Sequence, residues 1–114
     1  MKKTLLAVSL IAASFSAFAG GNIEAGKLVA EKNNCASCHG KDYNSPIDPS
    51  YPKLAGQHKD YLEHAMKAYK RGADGANGRG NAIMAGMAKP LSSQDVKDVA
   101  AYLHSLPGSL VLRR

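Results

Sequence analysis

The residues best suited to chemistry are two cysteines and a histidine in the stretch NNCASCHGKD, residues 33–42. Cys35 and Cys38 are three positions apart, and His39 follows directly. On a helical turn, positions i, i+3 and i+4 lie on the same side. The spacing therefore predicts that two thiols and one imidazole are presented together to whatever lies beside them.

Four kinds of site could use this trio of residues. A structural zinc ion needs four ligands, but the chain has only two cysteines and its other histidines lack paired spacing. A catalytic dithiol belongs on a βαβ unit, which the sequence does not indicate. A disulfide across so short a loop gains little from closure. Attachment of c-type haem uses all three residues, because both thiols form thioethers with the haem and the imidazole coordinates its iron.

Haem iron held by one histidine has a second axial position, whose occupant decides function. The candidates are Met66, Met84, Met87, His58, His64 and His104. Met66 lies on the apolar stripe of a predicted helix, where methionine usually fills space in the core. The histidines are expected at exposed positions or at a helix start. Met84 and Met87 lie in a predicted loop, where iron coordination would explain a thioether, and spacing alone does not choose between them.

Three helices are predicted to position these residues, with no alternation that indicates a sheet. The first runs from an N-cap at Asn22 towards Cys35, with an apolar side formed by Ile23, Leu28 and Val29. The second covers about residues 59–71 and ends at Gly72. Its apolar positions, at helical spacing, are Tyr61, Leu62, Ala65, Met66 and Tyr69.

The third predicted helix begins with a capping box formed by Ser92 and Asp95 and stops before Pro107. Its predicted buried stripe consists of Val96, Val99, Leu103 and Leu106. Two long loops, residues 40–57 and 72–90, separate the helices, and the second contains five glycines. Loops of this length in a small domain are usually functional, so a bound group is expected to order them.

The first 19 residues are predicted to be a secretory signal peptide. Lys2 and Lys3 precede the apolar stretch 4–19, which ends in Ala17-Phe18-Ala19, the small-residue pattern of a cleavage site. The stretch is shorter than the roughly 20 residues that span a bilayer, so no transmembrane segment is expected after cleavage. The predicted mature domain is residues 20–114, in the periplasm.

The chain of 114 residues carries a formal charge of +6, which falls to +4 without Lys2 and Lys3. A basic exported protein suggests an acidic protein partner or an anionic surface. Nucleic acid is not expected as a partner, because the lysines are dispersed and are not interleaved with aromatic residues.

Three segments together resemble class I cytochromes c: CASCHG, YPKLAGQHKDYL and IMAGMAKPLSSQDVKDVAAYL. They are most similar to one domain of the cytochrome c4 type and to single-haem c553 and c5 proteins. The resemblance covers residues 20–106 and implies a small all-α fold, with helices and long loops wrapped around one covalently bound haem. Cytochromes c4 carry two such domains, whereas this chain has one CxxCH motif, so it resembles a monohaem relative.

The resemblance also implies roles for individual residues. Alignment with the family places the axial methionine at Met84, seven residues before Leu91, and leaves Met87 as packing. The carbonyl of Pro52 is expected to accept a hydrogen bond from the other ring nitrogen of His39. Gly26 and Tyr102 match the close contact of the first and last helices. Arg79 is either a partner for a haem propionate or an exposed loop charge.

A haem with one histidine and one methionine ligand has no free iron position for substrate, so the expected function is electron transfer, not catalysis. The expected partners are redox proteins: a quinol-oxidising complex or dehydrogenase as donor, and a terminal oxidase or reductase as acceptor. Two alternatives stay open. The chain could be the cytochrome subunit of a larger redox enzyme, or its haem could serve in a gas sensor or a small peroxidase.

Overall fold

The computed structural model describes residues 20–110, and the predicted signal peptide lies outside them. Five helices are present in this range: α1 (Ile23–Lys32), α2 (Ala36–His39), α3 (Lys59–Arg71), α4 (Ala82–Ala88) and α5 (Ser93–Ser105). No strand occurs among the described residues. The predicted all-α class is therefore confirmed.

The ends of the three predicted helices follow from local hydrogen bonds. The side chain of Asn22 accepts a hydrogen bond from the Ala25 amide and caps α1. Ser92 and Asp95 form the reciprocal capping box of α5. Gly72, with φ of 72°, terminates α3 in a conformation that glycine adopts without strain.

Helix α1 packs against α5 through small residues, not through the predicted apolar side. Gly26 and Ala30 are buried, and a Cβ atom on Gly26 would overlap the Asp98 carbonyl of α5. Ile23 and Leu28, which the hydropathy pattern assigned to the buried side, are 48% and 66% exposed. Val29, the third predicted residue, does pack against the core, but the prediction was wrong for Ile23 and Leu28, because two backbones can approach this closely only where no side chain stands between them.

A buried carboxylate joins the N-terminus of α1 to α5. Asp98 is 7% exposed, and its Oδ1 accepts hydrogen bonds from the Asn22 amide and from Gln94 Nε2, both 2.8 Å long. A carboxylate near the start of α1 also interacts favourably with the helix dipole. The two helices are thus fixed by polar contacts as well as by close backbone packing.

The hydrophobic core contains few large side chains. Its buried members are Ala30, Tyr43, Ala55, Leu62, Val99, Ala100 and Leu103. Tyr43 packs edge-on against Tyr102, with ring centroids 6.0 Å apart, and burial raises the pKa of Tyr43 to about 12. The Tyr43 carbonyl accepts hydrogen bonds from the amides of Leu54 and Ala55. These contacts attach the long segment between α2 and α3 to the core.

The segment 72–90, predicted to be a loop, contains helix α4. The side chain of Asn81 caps this helix by accepting a hydrogen bond from the Met84 amide, 3.0 Å long. Four glycines precede the helix and only Gly86 lies inside it. Most of the residues at positions 82–88 therefore have good helix propensity. The prediction failed because the glycine count was averaged over a segment whose glycines are concentrated at one end.

Helices α4 and α3 pack together, and the Lys70 ammonium donates a hydrogen bond to the Leu91 carbonyl beyond the end of α4. The segment from α3 to α5 is therefore ordered by contacts with α3. None of the helices within residues 20–110 has the length and apolarity that crossing a bilayer requires.

Substitution of Gly26 by alanine should destabilise the protein, because the added methyl group overlaps the Asp98 carbonyl. We expect a loss of about 1–3 kcal/mol in the free energy of unfolding, as for other overpacked sites, measured by chemical denaturation. Gly86→Ala in α4 is the matched control, since a Cβ there meets nothing within 4 Å. If the Gly26→Ala and Gly86→Ala variants had the same free energy of unfolding, the proposed role of Gly26 would be contradicted.

Candidate haem-binding site

The CxxCH segment forms the single turn that its spacing predicts. Cys35 precedes α2 in a helical conformation, and its carbonyl accepts hydrogen bonds from the amides of Cys38 and His39 at 3.3 and 3.1 Å. Gly40, with φ of 90°, ends the turn directly after the histidine. No disulfide joins Cys35 and Cys38, and both residues are partly exposed. The backbone thus brings the three residues together within one helical turn.

The Cys35 thiol does not lie in the environment of a catalytic cysteine. Burial raises the pKa of the Cys35 thiol, and the nearby Cys38 adds a smaller effect in the same direction. A thiol with a raised pKa stays protonated at neutral pH, whereas a catalytic cysteine is activated as a thiolate.

Residues 20–110 also contain no group of three or more histidine, cysteine or acidic side chains arranged to hold a metal ion.

The His39 side chain is buried and held in one orientation. It is 6% exposed, and its Nδ1 lies 2.9 Å from the Pro52 carbonyl oxygen, as the sequence resemblance implied. Because a carbonyl oxygen only accepts hydrogen bonds, Nδ1 carries a proton, and in the neutral imidazole the lone pair is then on Nε2. A histidine with this type of hydrogen bond is oriented as a metal ligand, and its basicity is increased.

A cavity of about 320 Å³ opens beside His39, and we refer to it as the haem cavity. One wall is the apolar stripe of α3, formed by Tyr61, Leu62, Ala65, Met66 and Tyr69. Val99 and Leu103 of α5 line another part of it. The α3 stripe that the sequence predicted therefore faces the cavity, and Met66 belongs to the cavity wall.

Met84 lines the haem cavity together with His39, whereas Met87 does not. Helix α4 explains the difference, because Met84 in its first turn is partly buried while Met87 is 37% exposed. The histidines at 58, 64 and 104 are all exposed, and none lines the haem cavity. His104 Nδ1 instead lies 2.7 Å from the Gln57 carbonyl oxygen.

Arg79 lies at the edge of the haem cavity in contact with two tyrosines of α3. Its guanidinium carbon is 5.5 Å from the ring centroid of Tyr61 and 5.4 Å from that of Tyr69. Nη2 also donates a hydrogen bond of 3.2 Å to the Tyr61 hydroxyl, and these contacts raise the pKa of Arg79. The sequence suggested an arginine near the haem but gave no indication of its aromatic partners, which are distant along the chain.

The structure brings His39 and Met84 to one cavity, while the two cysteines lie on the adjoining turn and do not line it. The cavity walls are mostly apolar, and an imidazole nitrogen and a thioether sulfur are available as ligands. This donor set suits haem iron. Cys35 itself packs against the core, so the attachment turn is anchored to the rest of the protein.

Comparison with known proteins identifies the family. The family model described as Cytochrome c matches residues 23–107. The chain belongs to the cytochrome c family. Cytochrome c4 of Stutzerimonas stutzeri is 41% identical over 115 residues, which cover 96% of this chain and 53% of that protein. Cytochrome c-554(548) of Halomonas halodenitrificans is 46% identical over 72 residues, which cover 62% of this chain and 82% of that protein.

Among solved structures, the crystal structure of reduced recombinant cytochrome c4 from Pseudomonas stutzeri is similar, with a TM-score of 0.67 and 40% identity. The match covers 79% of this chain and 48% of that chain. The chain thus spans about half the length of the cytochromes c4 that it matches. These relatives confirm the resemblance to class I cytochromes c of the c4 group and the predicted fold.

Family membership and the spacing of Cys35, Cys38 and His39 together support one covalently bound haem c. The residues of the cavity fit such a group, since they combine an apolar lining with an oriented imidazole. The long segments between the helices supply much of this lining, including Pro52, Leu54 and Arg79. The expectation that a bound group orders these segments agrees with their position around the cavity.

Replacement of Arg79 by glutamine should lower the reduction potential of the haem, because a positive charge near the cavity favours the reduced iron. Arg79→Lys should lower it less, since lysine keeps the charge but loses the fixed stacked geometry. Potentiometric titration of the haem-loaded variants measures both effects. Lys27→Gln on α1 removes one charge elsewhere and serves as the control; equal shifts for Lys27→Gln and Arg79→Gln would contradict a specific effect of Arg79.

Proposed function

We propose that this cytochrome is a one-electron carrier whose haem is attached through Cys35 and Cys38 and ligated by His39 and Met84. The observation that carries the proposal is that His39, with Nε2 available, and Met84 line the same cavity. The haem, when bound, supplies an iron centre that gains or loses one electron. The chain supplies both axial ligands, so no coordination position is left for a substrate, and we assign it no catalytic activity.

Each of the two proposed ligands is held in position by a local hydrogen bond, and fixed ligands favour rapid electron transfer. The Pro52 carbonyl fixes the ring of His39, and the Asn81 cap fixes the start of the helix that carries Met84. Ligands that keep their positions in both oxidation states leave little structural rearrangement to accompany transfer of an electron. Methionine as the second ligand also raises the reduction potential.

We infer that the carrier works in the periplasm between respiratory proteins. Its donor would be a quinol-oxidising complex or a dehydrogenase, and its acceptor a terminal oxidase or reductase. The sequence pattern of residues 1–19 supports export, and the formal charge of +4 that remains without Lys2 and Lys3 supports acidic partners. Encounters between such carriers and their partners are small, brief and sensitive to salt.

A second candidate function is that of a cytochrome subunit in a larger redox enzyme. Apolar residues are exposed on α4 next to Met84, since Ile83 is 60% and Met87 37% exposed. A permanent partner would cover such a surface. Stable co-purification of a second chain with the native protein would favour this function over that of a free carrier.

Substitution of Met84 by alanine should remove one axial ligand and open the iron. We expect loss of the weak red absorption band of methionine-ligated iron(III), and a reduced spectrum that changes when carbon monoxide is added. Met87→Ala should keep the spectrum of the unchanged protein, because Met87 does not line the haem cavity. The reverse result would assign the ligand to Met87.

The spectrum of the unchanged protein tests the proposed function itself. A sharp low-spin reduced spectrum with no response to carbon monoxide is expected for a six-coordinate carrier. A high-spin spectrum that shifts with carbon monoxide would indicate an open iron site, and a gas sensor or peroxidase would replace the carrier as the proposed function.

Processing of the N-terminus tests the proposed location. The protein recovered from a periplasmic fraction should begin at Gly20, because signal peptidase cleaves after Ala19 in the predicted site. Ala19→Arg should block cleavage and retain the precursor, whereas Ala13→Ser, inside the apolar stretch, should be processed normally. Intact mass measurement distinguishes the two products, and an unprocessed chain in the cytoplasm would contradict the proposal.

A further inference from the structure

A second cavity of about 500 Å³ lies on α3, between this helix and the segment 77–79. We refer to it as the α3 groove; residues that form it include His64, Ala65, Lys67, Ala68, Arg71 and Arg79. These α3 positions are spaced so that they share the side of the helix adjacent to the stripe facing the haem cavity. The groove is thus distinct from the haem cavity but next to it.

The charged side chains that line the α3 groove within residues 20–110 are all basic. Lys67 is partly neutralised by Glu63, at 3.8 Å. Arg71 has no ion-pair partner in the described part of the chain, whereas Arg79 lies between this groove and the haem cavity. Their contacts are with neutral groups: Arg71 donates to the Asn77 carbonyl, and Arg79 donates to the Tyr61 hydroxyl.

The shape of the α3 groove allows an acidic group to approach these cations. Ala65 and Ala68 leave space between the larger side chains. Arg79 is held in place by its two tyrosine rings, and Arg71 by the carbonyl of Asn77. Guanidinium groups that are already positioned bind carboxylates well, because little side-chain freedom is lost and paired hydrogen bonds can form.

The α3 groove and the haem cavity share part of their walls. Tyr61, Ala65 and Arg79 line both. A group bound in the α3 groove would therefore be separated from the haem cavity by side chains of one helix and one arginine. A partner that docks here would lie beside the redox centre without contacting the CxxCH turn.

We propose that the α3 groove binds acidic side chains of an electron-transfer partner protein. Charge complementarity decides the occupant, because Arg71 has no carboxylate partner among the described residues, Arg79 lies at the edge of the same groove, and no acidic residue of the described part of the chain lines it. The biological role of this docking site rests on the proposed electron-carrier function, but anion binding in the groove does not depend on it.

The binding site can be mapped with the haem-loaded, oxidised protein and hexacyanochromate(III), a paramagnetic anion that does not exchange electrons under these conditions. At low ionic strength, nuclear magnetic resonance should show the strongest line broadening at the amides of Ala68, Arg71 and Arg79. The broadening should decrease as salt is added, because the interaction is between exposed charges. Strongest broadening at the CxxCH turn or evenly over the surface would overturn the proposal.

Charge removal gives a second, quantitative test of the α3 groove. Arg71→Gln should weaken binding of hexacyanochromate(III) about threefold or more, as loss of one surface ion pair can do. Lys27→Gln, which removes an exposed charge on α1, should change it much less. Equal weakening by both variants would show that only the net charge matters and would overturn the proposal.

A competition experiment distinguishes an acidic protein partner from a small inorganic anion. A hexaglutamate peptide should displace hexacyanochromate(III) from the unchanged protein, and sulfate at the same ionic strength should displace it less. Displacement by sulfate alone would mean that the groove binds small anions only, and docking of an acidic protein would be ruled out.

A cationic oxidant separates failure of this proposal from failure of the proposed function. The reduced protein should transfer one electron to tris(phenanthroline)cobalt(III), leaving iron(III) and cobalt(II), at similar rates in the unchanged protein and in Lys27→Gln. Absence of this reaction would contradict the electron-carrier function, while the binding map would still decide whether the α3 groove takes anions.

Discussion

The close approach of α1 and α5 is the constraint on which the rest of the structure depends. The absence of a side chain at Gly26 allows the backbone of α1 to reach the Asp98 carbonyl, and the Asp98 carboxylate binds the Asn22 amide at the start of α1. One residue of α5 thus contacts α1 through both its backbone and its side chain. This contact fixes the two helices that frame the remaining elements, including the turn that carries His39.

The core around this contact is small, and this gives the haem a structural as well as a chemical role. Ala30, Ala55 and Ala100 are fully buried, and Val96 is the largest side chain with so little exposure among the described residues. A domain of this size buries limited apolar surface by itself. An apolar group in the haem cavity would add contacts to α3 and α5 and to the long segments between the helices.

The α3 helix connects the haem cavity to the surface. Its apolar stripe faces the cavity, and its neighbouring side forms the basic α3 groove. Tyr61 and Arg79 line both cavities. The same two side chains would therefore lie between an anion bound in the α3 groove and a haem bound in the haem cavity. In the proposed carrier, chemistry at the iron and recognition at the surface would be linked through one helix, whereas the CxxCH turn would serve for attachment and orientation.

The sequence by itself determined the features that depend on neighbouring residues: the CxxCH turn, the caps at Asn22 and Ser92, and the end of α3 at Gly72. The resemblance to class I cytochromes c added a long-range contact, between His39 and the Pro52 carbonyl, which the structure contains. Only the tertiary structure decided that Ile23 and Leu28 are exposed, and that Arg79 stacks on two tyrosines of α3. These features depend on which backbones approach and which distant side chains meet, and hydropathy patterns carry no information about either.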